Sequence, residues 1–379
     1  MSAIEPKSIT LKILLVILCV VVTGITLAAG LWPLSFDAKN EVWWNPEQAG
    51  LYFGKIGMVI SDGKFTGTTA DTARGASIEL WIEPGVTWYS NTILSFYQPG
   101  ITPRFQVRQS GDDVLFTSSR GPEQTQKKQR NVFVEGVFRK GERVLITLTS
   151  SHDVLNMYVN GVLKKSAREA KIEGTDFSGT LIVGNAYDRN SSWTGTFRGL
   201  ALYDRSLHPE EIKEDYDLWQ HNREQIARKS ALAYALYLFN EQSGERLRNV
   251  GKAGPDLVIP KQYFIFEPRF LVPFWKEYRP GREYAKDLAI NVFGLVPLGV
   301  CFAALFAWLN GGKGSFLYTT LLGFCVSLTI EILQSFMPTR SSGTTDLITN
   351  TTGAMVGAWL YLNAHSQVFL KRWGLVRAE

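Results

Sequence analysis

The sequence predicts a mixed fold, an antiparallel β-sandwich inserted into a four-helix all-α transmembrane bundle. Three features point there: uncharged runs of membrane-crossing length near both ends, a middle of short alternating segments, and the lack of a long amphipathic helix in that middle. The 379 residues suffice for more than one domain, and the 20% charged composition averages over two different solvents.

Residues 1–12 form an N-terminal tail carrying Lys7 and Lys12. Residues 13–32 (ILLVILCVVVTGITLAAGLW) follow without a charge, enough to cross ~30 Å of hydrocarbon at ~1.5 Å per residue. The run exceeds a usual signal core, which favours a retained helix over a cleaved signal peptide, although Ala28-Ala29-Gly30 is small enough for a peptidase.

Residues 45–260 read as the sandwich. SIELWIEP (77–84), VLITLTS (144–150) and LNMYVNG (155–161) alternate with period two. Asn160-Gly161 signals a type I′ hairpin, since both central residues need positive φ. Many short strands bounded by Gly, Asn, Asp and Pro pack best as two sheets. Cys19, Cys301 and Cys325 all fall in apolar segments, which removes a disulfide framework and a zinc spacing. Net charge is +5, and the basic clusters at 127–130 and Lys164-Lys165 read as solvated loops. No helix-borne basic stripe points to nucleic acid, and no cofactor or metal motif appears.

SIELWIEP, VLITLTSSHDVLNMYVNGVLK and LIVGNAYDRNSSWTGTFRGLALYDRSLHPEEIKEDY, in that order, resemble the concanavalin A-like/laminin-G (LamG) lectin superfamily, whose fold is a jelly-roll sandwich. The match includes an inward Trp81, Gly184, Gly195 and Gly199, and a closing helix begun by Pro209 with Glu210 and Glu211, where a free N–H and negative charge are favoured. The resemblance implies binding of a glycan or an envelope protein, within a superfamily that also contains glycosidases. No ExDxE-like run supplies the paired carboxylates of glycoside cleavage, so binding is expected. Segment 235–259 resembles the strand pair that opens such domains yet follows the closing strand. Either the domain is circularly permuted or a separate hairpin stands there. Asp188, Trp193 and Tyr187 are glycan-binding candidates, with Trp88 and Tyr89 as further stacking surfaces. Asp153, Asp176 and Asp188 stand in loops that could hold calcium or sugar. Solvated aspartates and core-packed aromatics are the competing readings.

Residues 262–284 interleave Phe, Trp and Tyr with Lys and Arg, the pattern of a juxtamembrane segment at headgroup depth. Three further spans lie at roughly 287–309, 315–336 and 345–364, within the region 285–364, and 365–379 form the C-terminal tail. Lys7, Lys12, Lys313, Lys371, Arg372 and Arg377 place both tails in the cytoplasm, against Lys276, Arg279, Arg282 and Lys286 on the opposite side. The sandwich is then extracytoplasmic on an inner (cytoplasmic) membrane.

Helical spacing puts Asp287 and Asn291 on one face, Glu331, Gln334 and Ser335 on another, and Asp346, Asn350, Gly353 and Gly357 in a stripe, with Arg340 in the turn. DLAINVFGLVPLG and EILQSFMPTRSSGTTDLITNTTGAMVG resemble the VanZ family of small four-helix membrane proteins through Asp287, Asn291, Phe293, Pro297-Leu298-Gly299, Glu331, Gln334, Arg340, Asp346, Asn350 and Gly353. The resemblance implies a link to low-level resistance to the glycopeptide teicoplanin and a membrane lipid as partner. Two readings stand: a binding site for a lipid-linked or headgroup ligand, or an enzyme with Glu331 or Asp346 as acid/base and Arg340 as anion clamp. Whether the chain is an enzyme stays open at this stage. Structural glue, with Gly353-x-x-x-Gly357 permitting close helix approach, competes with both.

Overall fold

The computed structural model describes residues 6–45, 49–68, 75–119, 130–151, 153–168, 170–277 and 281–363, with the backbone alone for 6–9, 11 and 283. Lys371, Arg372 and Arg377, Arg279, the Lys7 side chain and residues 127–129 lie outside the described residues. The chain divides into two units, Asp37–Glu267 and Met1–Phe36 with Pro268–Glu379.

The strands are β1 (Val42–Trp44), β2 (Leu51–Phe53), β3 (Val59–Ser61), β4 (Phe65–Thr66), β5 (Ala76–Pro84), β6 (Ser90–Tyr97), β7 (Phe105–Ser110), β8 (Asp113–Ser118), β9 (Arg130–Val134), β10 (Val144–Ser151), β11 (Val154–Val159), β12 (Val162–Arg168), β13 (Ser178–Val183), β14 (Gly195–Tyr203), β15 (Ala235–Tyr237), β16 (Arg246–Leu247) and β17 (Leu257–Val258). The helices are α1 (Pro6–Leu31), α2 (Pro209–His221), α3 (Arg223–Arg228), α4 (Phe274–Glu277), α5 (Arg282–Asn310), α6 (Ser315–Ser335) and α7 (Thr344–Leu362).

The strands form two antiparallel sheets. One runs β1-β2-β14-β5-β10-β11-β12 with β15 also on β14, the other β16-β17-β3-β13-β6-β7-β8-β9 with β4 on β13. Alternation decides what each face buries. Ile78, Leu80 and Ile82 of β5 join Phe53, Val107, Phe116 and Phe197 in the core between the sheets. Trp81, expected to face that core, points the other way, and this is a correction. It lies under α2 and α3 with Leu145, Ile212 and Trp219, because helices cover the outer face of this sheet. The α2 start is as expected: Pro209 opens it, and Glu211 accepts the His208 amide at 3.0 Å while pairing with Arg205 at 2.7 Å. Asn160 (φ 51°) and Gly161 (φ 76°) make the hairpin turn between β11 and β12, both with positive φ.

Residues 235–259 supply strands to both sheets, β15 on β14 and β17 on β3, and bury Tyr237, Phe239, Leu247 and Leu257 in the common core. The two ends of the unit are joined: Lys39 bridges Gln262, and the Tyr263 amide donates to the Ala38 carbonyl at 2.8 Å. The expectation of a single membrane-surface segment over 262–284 is therefore corrected. Tyr263 is buried on the sandwich, accepting from Asn185 Nδ2 at 2.7 Å and donating to Asn190 Oδ1 at 3.0 Å. From Pro268 onward the chain belongs to the helical unit, with Phe270, Phe274 and Trp275 exposed.

In that unit α1, α5 and α6 contain stretches long and apolar enough to cross a membrane, at Lys12–Leu31, Tyr284–Asn310 and Ser315–Ser335. The fourth expected span forms a helix of 19 residues, α7, but it does not meet that measure. Its N-terminal half, TTDLITNTTG, is too rich in threonine, asparagine and aspartate. It packs instead against α5 and α6, and α1 packs against the same two helices. Glycines set the α5–α7 approach: a Cβ on Gly353 would stand 2.1 Å from the Val292 carbonyl oxygen, and one on Gly299 2.3 Å from that of Ala354.

Candidate functional site

The turn from α6 to α7 collects the polar side chains of the helical unit. Glu331, in the penultimate turn of α6, is 1% exposed and its Oε2 accepts the Gly343 amide at 2.8 Å. Glu277, at the end of α4, accepts the Thr345 amide at 3.0 Å and the Thr345 hydroxyl at 2.5 Å. Two carboxylates thus cap the start of α7, where unpaired N–H groups and the helix dipole favour negative charge. Asp346, in the first turn, accepts Asn291 Nδ2 at 2.7 Å, and one turn on Asn350 donates to Ser327 Oγ at 3.1 Å. Gln334 Nε2 donates to the Gly30 carbonyl at 2.8 Å, and the exposed Arg340 reaches the same oxygen at 3.3 Å. Asp287 is exposed one turn before Asn291. Glu277, Arg340 and Asp287 all act electrostatically on Asp346.

The helical constellation therefore gathers toward one end of the unit, with Asn291 and Asn350 set deeper inside α5 and α7 than the rest. Glu331 and Arg340 do not pair with one another among the described residues; each is bonded to backbone instead. The Glu331 carboxylate is buried against the turn backbone, while Arg340 stays at the surface on the end of α1. Glu277 was missing from the sequence reading because it stands in the aromatic stretch, 68 residues from Thr345, with no periodicity to tie the two. Glu331 Oε1 and Gln334 Oε1, both buried, have no donor at hydrogen-bond geometry among the described residues, and the Ser342 hydroxyl stands beside the Glu331 carboxylate while accepting the Leu271 amide. The site thus presents acceptor oxygens that a donor can satisfy.

In the sandwich the glycan candidates separate. Trp193 is fully buried, its Nε1 donating to Gln109 Oε1 at 2.6 Å and its ring packed on Phe53 and Phe197. It is a core residue with no face left for a sugar, which corrects that expectation. Asp188 is 5% exposed, and the half-buried Tyr187 stacks on Tyr97 at 5.8 Å. Trp88 and Tyr89 are exposed side by side. Asp153 pairs with Lys171 at 2.8 Å, and among the described residues no three His, Cys, Asp or Glu side chains converge as metal ligands. A cavity of about 350 Å³ opens elsewhere, between the end of β6, the 98–104 turn and the Gly174–Asp176 turn. Asp176 is the only loop aspartate named from sequence that lines it.

A buried carboxylate unrelated to either site lies beneath α2. Glu79 accepts Trp219 Nε1 at 3.0 Å and the Tyr203 hydroxyl at 3.4 Å. Burial, then the nearby Asp215 charge, push its carboxyl up to about 8.

A two-sheet sandwich sharing its chain with apolar helices of spanning length defines a membrane protein carrying a lectin-type β domain. The family comparisons make that class more specific. The VanZ/LLP1 model matches residues 213–369, and the model of the concanavalin A-like lectin/glucanases superfamily matches residues 60–213. One chain thus holds a VanZ-like region and a LamG-like region, meeting inside α2, so the VanZ/LLP1 match also takes in β15 to β17. A search of curated proteins finds no match. Among solved structures, the binding domain of botulinum neurotoxin DC in complex with rat synaptotagmin II is similar at 14% identity over 48% of this chain and 46% of that one, TM-score 0.35. The botulinum neurotoxin type G receptor binding domain follows at 17% over 47% and 50%, TM-score 0.31. A heptameric SAP-like pentraxin from Limulus polyphemus gives 14% over 42% and 82%, TM-score 0.30. The chain spans about half the length of the neurotoxin domains. At such identities and TM-scores no functional argument rests on these structures.

Proposed function

We propose that this is a cell-envelope protein of the inner (cytoplasmic) membrane whose sandwich, on the extracytoplasmic side, binds a glycan, and whose VanZ-like helices hold a lipid-linked or headgroup ligand. The observation that carries the reading is the pair of buried acceptor oxygens, Glu331 Oε1 and Gln334 Oε1, beside Arg340 and Asp346 at one end of the helices. A buried acceptor without a donor costs about 1–3 kcal/mol, and a bound hydroxyl or ammonium group relieves that cost. Binding is favoured over catalysis because Glu331 and Glu277 are engaged in capping α7.

The test is lipid and glycan analysis of intact protein purified in mild detergent, beside an unrelated multi-pass protein from the same membrane. Enrichment of one headgroup or lipid-linked sugar supports the reading, and identical lipid profiles refute it. The side of the membrane is read by an impermeant thiol reagent on Lys140→Cys, an exposed position of the sandwich. Labelling in intact spheroplasts is expected, and protection there reverses the orientation.

A further inference from the structure

We propose that the cavity between the 98–104 turn and the Gly174–Asp176 turn is the glycan site of the sandwich, and that it takes an uncharged saccharide in preference to a sialylated or sulfated one. The proposal rests on the reading that the sandwich binds a glycan.

At about 350 Å³ the cavity falls within the ordinary range for small-ligand sites. Its lining is divided as a sugar ring is divided. Ile101 and Pro103 offer apolar contact to the C–H face over a floor of the core ring Phe96, while Gln98, Asp176 and Ser178 offer polar atoms to hydroxyls. Those polar groups are held in place beforehand. Asp176 is 7% exposed and its Oδ2 accepts the Glu173 amide at 2.9 Å, while Gln98 Nε2 donates to Ser178 Oγ. A site whose polar groups are already fixed loses little entropy when a polyol docks.

The charge balance sets the class of ligand. Arg104 faces the cavity, but so do Glu173 and Asp176, and Lys171 pairs with Glu173 at 3.0 Å. Lys171 also pairs with Asp153, so this described group of charges sums to −1, no positive field from it draws an anionic sugar, and Asp176 opposes one directly. Ile101, 51% exposed on the turn, forms an apolar rim that water alone does not require.

The test uses the full-length protein in detergent on an array of neutral, sialylated and sulfated oligosaccharides, with titration calorimetry on the best neutral hit. Binding of neutral oligosaccharides is expected, with a loss of at least tenfold in Asp176→Asn and in Ile101→Asp at unchanged melting temperature. Ile101→Asp alone decides the matter if Asp176→Asn fails to fold, because Ile101 is a surface side chain. Lys140→Ala, an exposed position outside the cavity, should bind as wild type. Neutral-glycan binding untouched by both cavity variants overturns the site while leaving the sandwich a glycan binder. A preference for sialylated or sulfated glycans overturns the ligand class, and an array with no signal removes the glycan reading together with this proposal.

Discussion

Glu79 makes the stability of the sandwich depend on pH in a direction opposite to that of an ordinary salt-bridged carboxylate. It lies on β5 beneath α2, is fully buried, and has one oxygen, Oε1, that accepts nothing from the described residues. The charged groups acting on it are Asp215 of α2 and Lys229, the latter bonded to Asp215 at 2.5 Å. Its carboxyl is raised from 4.5 to about 8, by burial first and Asp215 second. Between those values the folded protein holds a proton that the unfolded chain has lost. Stability therefore falls as pH rises, by about 1.4 kcal/mol per unit, and the loss ends near pH 8. From pH 5 to 7.5 this amounts to roughly 3 kcal/mol, or roughly 6–12 °C in melting temperature for a unit of this size. Glu79→Gln keeps the shape and an acceptor for Trp219 but cannot ionise. Melting of the intact protein in detergent, followed by tryptophan fluorescence from pH 5 to 8, should slope downward in wild type and be flatter in the variant. The difference between the two curves removes the titrating groups that do not interact with Glu79 and leaves the contribution of Glu79 together with its neighbour Asp215. Parallel curves would refute the reasoning.

Four further outcomes are expected. A fragment of residues 37–267 should melt cooperatively, whereas one ending at 222 should not, since it loses Tyr237, Phe239, Leu247 and Leu257 from the core at ~1.5–3 kcal/mol each; equal melting would remove 235–259 from the folding unit. Trp193→Ala should lower sandwich stability by about 3–5 kcal/mol, read by denaturant titration, as befits a core side chain rather than a sugar platform. Gly353→Val should reduce the thermal stability of the detergent-solubilised protein by at least ~1–3 kcal/mol, because the new Cβ meets the Val292 carbonyl. Glu331→Gln keeps an acceptor for the Gly343 amide, so yield and melting should hold while the co-purifying ligand is lost; retention of ligand would leave Glu331 a helix cap only.

Local signals reached the fold because local physics decides those features. The Asn160-Gly161 turn needs two positive φ angles, and the sequence shows the pair that supplies them. Pro209 with Glu211 marks the α2 start for a similar reason. Trp81 was misplaced because alternation tells that two faces differ without telling which one a helix will cover. Trp193 illustrates the same limit, since an aromatic between Ser192 and Thr194 reads alike whether it stacks on a sugar or on Phe53 and Phe197. At the helix ends, spacing could gather Glu331, Gln334, Asp346 and Asn350 onto faces. It could not show that the Gly343 amide occupies Glu331, or that Glu277 arrives from α4 to cap α7. Those contacts join distant segments without a repeating pattern.

The bridge between Lys39 and Gln262 bears on how the chain reaches its folded state. Partner residues across a strand pair lie about 5 Å apart, so a folded sandwich returns its two ends to within a hairpin's width. To α1 and α5, closing across 37–267 as flexible chain would cost an entropy that grows with the logarithm of loop length. Once the sandwich has formed, the same closure resembles that of a loop of a few residues. The difference is on the order of 3 kcal/mol, enough to change the probability of helix pairing by roughly a hundredfold. Folding of the β unit first would thus act as a template for helix assembly, and any compact domain with adjacent termini grafted at 37 and 267 should serve in its place.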